Sequence, residues 1–214
     1  MRLYYLIIFI ICLLFINNIA FSYSYLYSNQ KKEFQILIDQ KKYEEAIELC
    51  KNIIASNPSN SLGYSYLGLT YLRMEQFDEA LKNFNKSIEI DNNPADYLNR
   101  GSVYAKMKDY PRAITDYNTA LELNPDLRVA YLDIGVVYYE FKKYDNAIQA
   151  LNKVLEVKPE GEIETKMYLQ AIRLRRAVYF KKYNNLVEFI ACIVAGIIVL
   201  LIKKAIKRKR CNPA

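Results

Sequence analysis

Four alanines, Ala46, Ala80, Ala113 and Ala147, recur at intervals of 34, 33 and 34 residues, each three residues after an aromatic (Tyr43, Phe77, Tyr110 and Tyr144). A fixed period of this size restricts the chain to stacked copies of one supersecondary module, because no single copy can bury its own apolar face. Other positions keep step with the alanines. Tyr64, Tyr97 and Tyr131 are followed four residues later by Gly68, Gly101 and Gly135, and three further on by Tyr71, Tyr104 and Tyr138. Four residues after each alanine stands Cys50, Phe84, Tyr117 or Leu151, and Pro58, Pro125 and Pro159 close three of the units.

Each residue type solves a packing or backbone problem in a two-helix unit. The glycines and alanines let helices approach closely, at about 1 kcal/mol of lost helix propensity per glycine relative to Ala. The aromatics fill the space between successive hairpins. Proline cannot continue a helix, so Pro58, Pro125 and Pro159 stop the second helix of their units. Pro111 suits the first turn of its helix, where a missing N–H costs little. The second unit lacks the closing proline and is one residue shorter, with Pro94 shifted to open the next helix.

In these positions the chain resembles the tetratricopeptide repeat family. The resemblance implies an all-α, right-handed solenoid of about four helix-turn-helix units over 28–160, divided as 28–60, 61–93, 94–127 and 128–160. The first unit carries Gln30 and Phe34 where the others have Tyr and Gly, as an atypical terminal repeat or a noncognate hairpin would. Residues 161–183 read as a capping helix, with Ile163, Met167, Ala171, Leu174 and Val178 on one face covering the last exposed apolar surface.

Both chain ends point to a membrane. Leu3 to Ile16 is an apolar run behind Arg2, short against the roughly 20 residues a span needs, and Ala20 and Ser22 supply the small residues of a cleavage site. Residues 1–22 are therefore expected to be a signal peptide; retained uncut, they would form a second anchor. Residues 186–202 form a second apolar stretch whose one charge is Glu188, and the tail 203–214 opens with Lys203, Lys204, Lys207, Arg208, Lys209 and Arg210. That stop-transfer pattern predicts a transmembrane helix with a cytoplasmic basic tail and the repeats outside the cytoplasm, at the outer face of a bacterial inner membrane. The tail could also touch anionic headgroups.

Composition narrows the function. The net charge of +7 does not come from the repeats, since residues 31–160 hold 17 Lys plus Arg against 20 Asp plus Glu. A nucleic-acid footprint is not indicated. The chain contains no His, which removes Ser-His and Cys-His nucleophile pairs and His-ligated metals, and it has no Walker, Rossmann or paired-cysteine motif. The acidic pairs Glu44–Glu45 and Asp78–Glu79 suit the positive ends of helices. No enzyme activity, cofactor or metal is expected. Of the four cysteines only Cys50 falls in the repeats, at a core position, so no disulfide framework is expected.

A partner-binding surface is what remains. The resemblance implies that a peptide or partner helix binds in a concave groove lined by first helices, here Leu62, Tyr66, Leu69, Leu98, Asn99, Ser102, Val129, Leu132, Val136 and Tyr139. The family's clamp for an anionic terminus needs Lys and Asn where this chain has Ser65 and Leu69, and Lys and Arg two units on, where it has Val129 and Asp133. The expected ligand is therefore held by apolar and aromatic contacts with hydrogen bonds to Asn99 and Ser102. Two other readings share these features. One is a tail-anchored organelle adaptor with cytosolic repeats, and the other a structural subunit of a membrane complex, self-associating through Ala191 and Ala195.

Overall fold

The computed structural model describes residues 28–184 and 186. The signal segment, all but the first residue of the 186–202 stretch and the basic tail lie outside the described residues. Among those described, every regular element is a helix. Residues 28–39 form α1, followed by α2 (Tyr43–Ser56), α3 (Ser61–Arg73), α4 (Phe77–Ile90), α5 (Pro94–Lys106), α6 (Tyr110–Leu123), α7 (Arg128–Glu140) and α8 (Tyr144–Leu155), and 162–184 form α9. None is long and apolar enough to cross a membrane. Two compact units divide after Val103.

The helix starts fall on the aromatics read from the period: Tyr43, Phe77, Tyr110 and Tyr144 open α2, α4, α6 and α8. Every hairpin turn uses the same device. Lys41, Glu75, Lys108 and Lys142 take φ of 57°, 59°, 62° and 59°. In each turn the positive-φ residue donates its N–H three residues back, and the next residue reaches five back, as Lys41 to Ile38 and Lys42 to Leu37. This double bond satisfies the last carbonyls of the first helix with a left-handed residue that is usually glycine. Asn60 caps α3 by accepting from Leu62 N at 3.0 Å, and Asp109 caps α6 by accepting from Arg112 N at 3.2 Å.

Inside a hairpin the repeat glycine faces the bulky residue of its own second helix. A Cβ on Gly68 would sit 2.9 Å from the Phe84 ring, and one on Gly135 would sit 2.7 Å from Leu151 Cγ. The first hairpin reverses the sizes. Phe34 occupies the glycine position and small Cys50 the bulky one, and both are buried in one cluster with Ala46 and Leu67. Burial pushes the Cys50 thiol up to about 12, so it packs as a neutral apolar group.

In the second unit α9 packs on the last hairpin. Ala171 and Val178 are fully buried against Ala147, Leu151 and Val154, with Met167 and Leu174 packed beside them. Ile163 does not belong to that face; it is 84% exposed. It lies in the first turn of α9, which is held by polar contacts: Arg128 pairs with Glu164 at 2.5 Å and Glu164 accepts from the Glu160 N–H. Those contacts hold the Glu164 carboxyl below its ordinary range.

Candidate partner-binding surface of the first helices

In the first unit the candidate side chains come from α3 and α5. Tyr66 is half-buried because its ring stacks on Phe34 of α1, with centroids 4.1 Å apart and planes within 2°. Leu69 packs between the clusters of the first and second hairpins. Leu62 sits half-buried in the first turn of α3. On α5, Leu98, Asn99 and Ser102 share one face at helical spacing and are all partly exposed, with Ser102 Oγ donating to the Leu98 carbonyl at 3.0 Å.

In the second unit Val129, Val136 and Tyr139 of α7 are partly exposed, and the Tyr139 ring lies 6.1 Å from that of Tyr144. Leu132 is a correction to the expected lining. Only 5% exposed, it is part of the core with Ala147, Ile148 and Leu151, because its place on α7 faces α8 rather than solvent. The neighbouring Asp133 is the residue on that helix with the most unusual chemistry. It is partly buried, and desolvation pushes its carboxyl from 3.8 up to about 6.

Register organises this surface. Tyr66, Asn99 and Asp133 each stand two residues before the repeat glycine, so one structural position carries an aromatic, an amide and a carboxylate. A different position holds a buried polar network, which sequence reasoning missed. Asp96, 2% exposed, accepts from Ser65 and from Ser87 Oγ at 2.7 Å, and Ser87 Oγ also lies 3.0 Å from the Ser61 carbonyl. Burial raises the Asp96 carboxyl above its ordinary range while the two serines lower it. The corresponding positions hold Gly63 and Ala130, both buried, so a charged residue in place of a small one was the available signal. Outside this surface, a cleft of about 530 Å³ lies beside Arg128, Tyr131, Lys153 and Glu156, and two ion pairs, Arg128–Glu164 and Lys153–Glu156, lie in its lining.

Paired helices with a constant packing frame and a variable first-helix face define a helical-hairpin repeat protein. Residues 61–94 and 95–160 match tetratricopeptide repeat family models. The chain is 36% identical over 66 residues to Heat shock protein STI1 of Saccharomyces cerevisiae, a match spanning 31% of this chain and only 11% of that protein. Among solved structures, a thermophilic TPR protein of Thermus thermophilus superposes with a TM-score of 0.58 at 20% identity, covering 65% of this chain and 77% of that one. MamA superposes with a TM-score of 0.53 at 21% identity over 71% of this chain and 95% of its own. Residues 61–160 thus carry tetratricopeptide repeats.

Proposed function

We propose that the chain is a non-enzymatic, membrane-held scaffold that binds a peptide or helix of a partner protein on its first-helix faces. The observation that carries this reading is the shared register of Tyr66, Asn99 and Asp133: in the second, third and fourth hairpins the packing positions keep a glycine opposite a bulky residue, while this partly exposed position changes its chemistry. Such variation on a fixed frame is how function is grafted onto a repeat fold. The ligand chemistry follows from the side chains. A carboxylate at Asp133, and no basic residue at the clamp positions, disfavours an anionic terminus. In the first unit Leu69 and Asn99, and in the second Val129, Val136, Tyr139 and Asp133, each combine apolar contact with a polar acceptor, and each face by itself favours a neutral or basic segment.

The membrane part of the reading rests on sequence: the apolar stretch 186–202 ahead of six basic residues, and the leader-like residues 1–22. It puts the repeats on the exported side and the tail in the cytoplasm. A photoreactive residue at Tyr139, installed in the full chain in intact membranes, tests the binding face of the second unit. Capture of a partner that is lost on Asp133→Lys and Val136→Asp, with helix content unchanged, is the expected result. An unchanged captured set in those variants refutes the assignment.

A further inference from the structure

The cluster Arg173, Arg175, Arg176, Lys181 and Lys182 is sorted by the structure into two groups. Arg175 Nη1 donates to Asn152 Oδ1 at 2.9 Å and Lys182 pairs with Asp145, so these two turn toward α8. Together with the buried face of Ala171 and Val178 they fix the rotation of α9. Arg173, Arg176 and Lys181 are left exposed.

The opposite side of α9 then presents a second stripe at alternating four- and three-residue spacing: Leu169, Arg173, Arg176, Phe180 and Tyr183, extended by Leu186. Phe180 is 71% exposed, Leu186 50% and Leu169 47%. Tyr179 and Tyr183 stack with ring centroids 6.0 Å apart at its distal end. From 165 to 187 the chain has six basic residues and no acidic one, and the apolar stretch 186–202 follows at once.

We infer that this outward stripe of α9 docks on the headgroup region of an anionic bilayer, laying the end of the repeat array against the membrane. The inference rests on the membrane-held reading above. Aromatic rings with polar tips favour the interface, arginine stems lie along apolar surface while their heads meet phosphate, and an unopposed basic face complements anionic lipid. A second copy of the chain is the competing occupant of a stripe with this spacing. Two chains anchored in the same orientation would bring Arg173 and Arg176 against their own counterparts, a like-charge contact.

The test uses the full chain with Cys12, Cys192 and Cys211 replaced by Ser, leaving only buried Cys50, and a fluorophore attached at Phe180→Cys or, as a control, at Ile163→Cys. Each protein is mixed into vesicles of phosphatidylcholine alone or with about a quarter phosphatidylglycerol, with headgroup-spin-labelled lipid as quencher. Docking predicts quenching at position 180, absent at 163, dependent on the anionic lipid, and shifted roughly 30-fold toward the undocked state by Arg173→Glu with Arg176→Glu. Equal quenching at 180 and 163, or crosslinking of 180 to 180 in place of quenching, overturns it. Resistance to alkaline extraction reads the anchor separately. A chain that is extracted yet quenched at 180 keeps the docking face and loses the anchor, and one that is neither retained nor quenched loses both.

Discussion

Replacing Gly68 with Ala should destabilise this protein, although alanine is the better helix former by about 1 kcal/mol. The new Cβ would lie 2.9 Å from Phe84 Cδ1 and Cε1 and 3.0 Å from Cγ, several tenths of an ångström inside an ordinary carbon contact. Phe84 is fully buried in a cluster with Ala80 and Val103, so its ring has little room to retreat. Overpacking of this kind costs typically about 1–3 kcal/mol, which outweighs the propensity gain and leaves a net loss of roughly 1 kcal/mol. The reasoning is sharpened by removing the ring. Phe84→Ala alone should cost about 3–5 kcal/mol as a cavity. In that background the ring contacts at 2.9–3.0 Å are gone, and Gly68→Ala should stabilise by about 1 kcal/mol, a reversal of sign. Urea midpoints of the four proteins, full chain in detergent and followed by helical circular dichroism, measure the cycle. A neutral or stabilising Gly68→Ala in the native background, or additivity across the cycle, would refute the size-complementarity argument.

Asp133 makes stability fall as pH rises. Its folded carboxyl titrates near 6 against 3.8 for the ordinary group, so the folded chain holds the proton more tightly, and the stabilisation present below about pH 4 is lost as pH climbs through 6. Asp133→Asn should leave the melting temperature nearly unchanged at pH 4 and raise stability at pH 7 by up to about 3 kcal/mol; equal effects at both pH values would count against burial as the cause. At the hairpin turns, Lys108→Gly should stabilise by about 1 kcal/mol by relieving the positive-φ strain, and Lys142→Gly likewise, whereas Lys108→Val should destabilise; thermal unfolding decides, and a loss on Lys108→Gly would contradict the turn geometry.

The frame was legible in the sequence because packing constrains size. Alanine, glycine and proline at a fixed period can be read directly, and the helix starts at Tyr43, Phe77, Tyr110 and Tyr144 followed from them. The left-handed turn residues were not legible. Lys41, Glu75, Lys108 and Lys142 carry side chains that ordinarily avoid that conformation, so no composition cue marks them. The surface was legible only in part, since groove and core positions alternate within one turn of α7. Leu132 and Asp133 are adjacent in sequence, yet one is sealed against α8 and the other partly exposed.

The first hairpin shows why the repeat tolerates such departures. Phe34 with Cys50 fills the volume that Gly68 with Phe84 fills one unit later, because the interior requires a summed volume and is indifferent to which helix supplies it. Asp96 extends the argument from volume to polarity. A small residue at this position, as Gly63 or Ala130, packs against a neighbouring helix without any polar requirement, whereas Asp96 brings a carboxylate that must be satisfied. Ser65 of α3 and Ser87 of α4 supply the donors, so a residue of the third hairpin is tied to both helices of the second. This is also the junction where the spacing shortens to 33 residues and the closing proline is missing. A directional hydrogen-bonded contact specifies register where the sequence has given up the proline stop, at the expense of burying a charge that an apolar junction would have avoided.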